Sequence, residues 1–211
     1  MLLRRTLDFA IAHQRELVVA LRQHLLLVGI ALGIAILVCV PLGVWTARSR
    51  PAALVFINGF NTLRVIPSLA ILFLAIPYLG LSFESAALAL TLLALPPILV
   101  NTDAAFRNLN PAIREAARGL GMTTRQQLLR VEFPLALPLI VAGIRTAAVE
   151  VVASATLAAF IGQGSLGTFI VLGFAAYDNA ILLTGAIPVA LLALATEGVM
   201  GGVQRWAQPR I

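Results

Sequence analysis

The chain has 211 residues, is 60% hydrophobic and only 11% charged, and carries a net charge of +6 from 15 arginines and no lysine. A soluble domain would be about a quarter charged, and one core could not hide this much apolar surface, so an all-α polytopic membrane protein is expected. A membrane β-barrel is excluded because the apolar runs are continuous and not alternating. Nucleic-acid binding is excluded because the arginines cluster between those runs, where membrane topology accounts for them.

Residues 1–23 mix Arg4, Arg5, Asp8, Arg15, Glu16 and Arg22 with Leu, Phe and Val, the pattern of an amphipathic segment lying at the membrane interface. Leu25 to Ala47 is uncharged and too long for a cleaved signal core, so it is read as a retained first span. Within it Cys39 is alone and reads as a small buried hydrophobe. His13 and His24 are isolated, and no spacing resembles a metal site. The run ends at "ARSRP", where Arg48 and Arg50 mark a cytoplasmic boundary.

The second span is expected over residues 52–77, interrupted by Asn58, Asn61 and Arg64 and kinked at Pro67, which lacks a backbone donor. "YLGLSFE" has an acid and no base and is placed outside. The third span, 84–104, carries Pro96-Pro97, either hinges or packing features. A charged segment, 105–133, follows, and the fourth span covers 134–161. "GQGSLG" at 162–167 is a glycine-rich break, readable as a periplasm-facing gate or docking surface or as a flexible loop. A short apolar piece leads to the fifth span, 180–202, and a tail, 204–211, with Arg205 and Arg210.

Arg107, Arg114, Arg118, Arg125 and Arg130 place the 105–133 loop in the cytoplasm. Counting spans puts the C-terminus inside as well and forces the N-terminus outside, against its four arginines. Within the loop, Pro111 can open a helix at its first turn, and Gly119 and Gly121 permit a reversal. Thr123 or Thr124 can cap the next helix with Gln126 or Gln127 three residues on. Two short angled helices result, with Ala116 and Ala117 offering a flat surface for another protein.

The spelling of this loop is specific. "EAA" at 115–117, Gly121 and "VEFP" at 131–134 resemble the EAA loop of binding-protein-dependent ABC importer permeases, with Val131 and Phe133 at the motif's aliphatic positions. "NTLRVIPSLAIL", "LPPILVNTDAAFRNLNPAIREAARGLGM", "LPLIVAGIRTAAVEVVASATLAAFIGQGSLG" and "LLTGAIPVALLAL" extend the resemblance over roughly 20–205, toward permeases of osmoprotectant importers carrying glycine betaine, choline, carnitine or proline betaine. The resemblance implies a methionine-importer-like fold in the bacterial cytoplasmic membrane, a second permease subunit, identical or related, two ATPase subunits and an extracytoplasmic solute-binding protein. It also implies a coupling helix whose contact with the ATPase involves Arg114, Glu115, Ala116, Ala117, Gly119, Gly121 and Met122. The chain has no G-x-x-x-x-G-K-[ST] loop, so ATP is expected in partner chains. No cofactor and no catalytic residues are expected here.

Polar groups at bilayer depth are functional candidates. Arg64 and Glu150 each fall deep in their spans and are expected to compensate each other, either lining the translocation path or as a structural pair. Arg145 lies nearer the cytoplasm and is expected to snorkel. The path set is Asn61, Arg64, Pro67, Glu150 and Gln163; the acid at 150 and the residues Gln163 and Ser165 depart from the resembled pattern. The rival readings are a same-fold permease for another solute such as an amino acid, an ion-coupled secondary transporter with broken helices, and a scaffold without transport.

Overall fold

The structure is a computed structural model and describes residues 1–208. Among the described residues there is no strand. The chain is a bundle of helices: α1 Leu2–Ala12, α2 Gln14–Arg48, α3 Arg50–Leu63, α4 Ser68–Leu79, α5 Phe83–Arg107, α6 Pro111–Gly119, α7 Thr124–Gln127, α8 Phe133–Ser154, α9 Gly167–Ala175 and α10 Asn179–Ala207. A π turn, Leu128–Glu132, joins α7 to α8, and a 3-10 stretch, Ala155–Ile161, extends α8. Four stretches, with α2, α5, α8 and α10 at their centres, are long and apolar enough to cross a membrane, and α3 with α4 makes a fifth, broken crossing.

The core forms along α2. Ala31, Ala35 and Cys39 recur every four residues, fully buried, on one stripe of that helix. They pack with Ala94, Ile98 and Leu99 of α5 and Ala147 and Val151 of α8. Small residues let the backbones approach, as lipid-embedded helices require in the absence of a hydrophobic drive. A Cβ on Gly43 would sit 2.6 Å from the Thr102 side chain, and one on Gly143 would sit 2.7 Å from the Pro97 carbonyl oxygen. Helix α5 runs unbroken through Pro96 and Pro97, with the Asn101 amide donating to the Pro97 carbonyl at 2.8 Å. Those prolines therefore lie within one continuous helix.

The second crossing departs further from expectation. A kink at Pro67 is expected; the chain instead leaves the helix over residues 64–67, and α3 and α4 meet at 96°. The last turn of α3 tightens, with Val65 and Ile66 amides bonding to Thr62 and Leu63 carbonyls. Pro67 disfavours helical geometry at Ile66 and then caps α4 with its own carbonyl, which accepts from Ala70 and Ile71.

At the N-terminus, α2 begins at Gln14, so residues 14–23 belong to the helix of the first crossing and only α1 stands apart. That helix docks on the start of α10. Arg5 pairs with Asp178 at 3.1 Å, and Asp178 in turn caps α10 by accepting from the Ala180 amide. This end of the bundle is opposite the α5–α8 loop, because α2 and α5 run in parallel and end together, Arg107 donating to the Thr46 carbonyl. Helix α10 runs back toward the loop end, where Arg205 lies in its last turn; Arg210 lies outside the described residues.

Candidate coupling site and intramembrane charge pairs

The loop after α5 folds on local signals. Asn110 caps α6 by accepting from the Ala112 amide at 3.0 Å, and Pro111 stands in the first turn. Gly121 makes the reversal with φ of +74°, and the Met122 amide bonds back to the Ala117 carbonyl at 3.1 Å. Gly119, expected to share the reversal, is instead the last residue of α6. Thr123 and Gln126 form a full capping box for α7, settling that choice over Thr124 and Gln127.

The two alanines divide. Ala116 is exposed, but Ala117 is buried at 4% exposure against the body of the chain, so it cannot be part of an outward surface. The residues that share the open side with Ala116 are Ile113 and Leu120, the latter 82% exposed. Positions 113, 116 and 120 fall on one helical stripe. Glu115, Arg118 and Gly119 are also exposed, whereas Met122 is half-buried.

What roots α6 is a group that the sequence argument passed over. Glu132, at the end of the π turn, is only 4% exposed. Its carboxylate accepts from Arg48 at 2.7 Å, from Arg114 Nε at 3.1 Å and from the Gln127 amide at 3.2 Å. Arg114 also donates to the Phe106 carbonyl at 2.6 Å, closing the C-terminal end of α5. Beside it, Arg107 grips Asp103 through two bonds of 2.9 and 2.7 Å. Arg48, Arg107 and Arg114 thus pin three helix ends together, beyond the topological role that charge counting gives them.

At mid-bundle, Arg64 Nη2 lies 3.7 Å from Glu150 Oε1, joining the break after α3 to α8. Both side chains remain accessible, 50% and 36% exposed. Asn61 and Pro67 are exposed on the same α3–α4 segment. Gln163 is not with them: its amide donates to the Leu81 carbonyl at 2.9 Å, tying the glycine-rich turn to the α4–α5 connection. That turn is packed at its end, with Gly162 at φ of +72° and Ser165 and Leu166 fully buried. Arg145 does not snorkel alone; it binds Glu197 and Gln204 of α10.

Among the described residues no group of His, Cys, Asp and Glu side chains is arranged to hold a metal ion. A capped, exposed helix is thus rooted by buried charge at one end of four continuous apolar crossings and one broken one. The chain belongs to the family described as binding-protein-dependent transport system inner membrane component, whose model matches residues 39–211. It is thus a permease subunit of ABC importers, a class that works with ATPase and substrate-binding partners.

Relatives and solved structures agree. The chain is 39% identical over 195 residues to the glycine betaine/carnitine/choline transport system permease protein OpuCB of Bacillus subtilis, covering 92% of this chain and 90% of the relative. It is 42% identical to the carnitine transport permease protein OpuCB of Listeria monocytogenes, over 92% of this chain and 89% of that one. The osmoprotectant import permease protein OsmW of Salmonella typhimurium is 39% identical, over 89% and 90%. The fold is that of the inward-facing MetNI methionine ABC transporter, with a TM-score of 0.80 at 20% identity over 94% of this chain and 99% of the matched chain.

Proposed function

We propose that this chain forms half of a translocation path for a small quaternary-ammonium solute of the glycine betaine, choline or carnitine kind. A second permease subunit, identical or related, supplies the other half. Two ATPase subunits bind ATP below it, and a solute-binding protein delivers the cargo from outside. The α5–α8 loop and the C-terminus face the cytoplasm, where the loop's five arginines belong, and α1 faces outward.

The observation that carries the coupling role is the split of α6 into a rooted side, Arg114 and Ala117, and an open stripe, Ile113, Ala116 and Leu120. A short rigid helix with a small apolar face can seat in a groove of an ATPase and move with it as a body. Arg64, Glu150 and the broken α3–α4 crossing supply the polar, irregular surface that a solute path needs, since non-helical backbone at membrane depth is tolerated where it lines a cavity or is buried in protein. The solute class comes from the relatives' names and fits the accessible Glu150 carboxylate, which favours a cationic headgroup.

The test is uptake of radiolabelled glycine betaine, choline and carnitine into proteoliposomes holding the complete complex and its binding protein. ATP-dependent accumulation of at least one supports the reading. ATP-independent exchange, or no accumulation with an active ATPase present, overturns it.

A further inference from the structure

Glu132 occupies the position between Val131 and Phe133, flanked by residues of the loop pattern but with no place assigned to it by the fold. Its carboxylate is nevertheless held by three side chains. Three donors from three elements converge on it: Arg48 at the end of α2, Arg114 in α6 and Gln127 in α7. The residue itself is buried, while its arginine partners retain 38% and 29% side-chain exposure. A buried carboxylate holds its place only if charge and hydrogen bonds compensate it, so the geometry of all three elements is set from this one group.

We infer that Glu132 is the positioning residue that makes α6 and the end of α2 one mechanical unit, so that displacement of the coupling helix is delivered to the first crossing as well as to α5 and α8. The covalent connections of α6 lead only to α5 and, through α7, to α8. Helix α2 is 63 residues away in the chain at the nearest point, from Arg48 to Pro111, and Glu132 reaches it through Arg48. The π turn ending at Glu132 is part of the device. A one-residue bulge re-aims side chains within a helix and recurs at functional positions; here it precedes α8 and sets Glu132 inward, beneath α6. Arg114 serves both arms, since its Nη2 donates to the Phe106 carbonyl and closes α5.

Two features separate this from ordinary stabilisation of a loop. Two of the three partners are arginines, whose charge-assisted bonds to a carboxylate are the strong ones. They also converge from both sides of the moving element, so that loss of either arm leaves α6 folded on its own caps, Asn110 and the Gly121 turn, but detached from one helix of the bundle. The inference rests on the proposed coupling role of α6.

The experiment compares Glu132→Gln and Arg48→Gln with the unmodified chain in the complete reconstituted complex, measuring solute accumulated per ATP hydrolysed. Arg48→Gln removes only the α2 arm, and Arg48 is accessible enough for that variant to fold where Glu132→Gln does not. The expected result is binding-protein-stimulated ATP hydrolysis close to that of the unmodified complex, with solute moved per ATP lowered roughly tenfold, a loss of coupling free energy of ordinary size. Glu132→Asp, which keeps the charge, is expected to recover part of the ratio. Hydrolysis and uptake falling together at an unchanged ratio in Arg48→Gln would mean that the group only holds the fold, and would overturn the inference. Failure of the unmodified complex to accumulate solute with ATP strikes the proposed function instead, so the two failures are distinct.

Discussion

The guanidinium of Arg64, where α3 ends, stands 3.7 Å from the Glu150 carboxylate of α8. The two come from crossings 86 positions apart in the chain. Both keep a third or more of their surface uncovered by the rest of the chain. A pair this accessible is available to a passing charge.

Glu150→Gln is therefore expected to leave folding intact and to act on transport. In the reconstituted complex, KM for cationic choline should rise about fivefold, the ratio that ~1 kcal/mol corresponds to, with a smaller change for zwitterionic betaine. An identical KM for both solutes, with the unmodified melting temperature, would remove Glu150 from the translocation path.

Cysteines at adjacent positions of α6 should behave oppositely. In a Cys39→Ser background, Ala116→Cys is expected to react readily with a membrane-impermeant maleimide in inside-out vesicles. Ala117→Cys, buried against the chain, should react about tenfold more slowly or less, since it must await a local opening. The same Ala116→Cys, and not Ala117→Cys, is the position from which to seek a crosslink to an ATPase subunit.

Gly121→Val should cost about 1–2 kcal/mol, the penalty for a side chain at φ of +74°, even though open space surrounds the position. Because the strain falls in the turn between α6 and α7, uptake should drop more than expression. Gly119→Ala is the control for backbone strain: it ends a helix, has an ordinary backbone and meets nothing of this chain within 4 Å, so the melting temperature should be unchanged.

Gly143→Val tests the bundle itself. Its Cβ would enter within 2.7 Å of the Pro97 carbonyl and the Asn101 side chain, and overpacking of this kind costs typically 1–3 kcal/mol. A lowered melting temperature of the detergent-purified protein is the expected outcome; an unchanged one would show that α5 and α8 are not held at this separation.

What could be read before the structure was what the chain writes locally. Asn110-Pro111, Gly121 and Thr123 with Gln126 each specify a helix start or stop within four residues, and the loop folds accordingly. The Arg64–Glu150 contact was also accessible, because two opposite charges at similar depth in apolar runs have few ways to be satisfied. The Glu132 cluster was not. Arg48 lies 84 residues away, and its charge had already been spent on marking topology. A signal was present all the same, since an acid at the foot of an apolar crossing has to be compensated. The burial of Ala117 likewise escaped, because nothing in "EAA" says which face of a short helix turns inward. The turn at Arg64–Pro67 was underestimated for a different reason: a lone proline kinks a helix, but here four successive residues abandon it.

Helix α2 has one more property of note. Its 35 residues amount to about 52 Å at 1.5 Å per residue, against a hydrocarbon layer of about 30 Å. Even tilted by 40°, the steep limit for such helices, it reaches about 40 Å along the membrane normal. The surplus reaches past the hydrocarbon into the headgroup layer, and α1, clasped to α10 by Arg5 and Asp178, braces its N-terminal end.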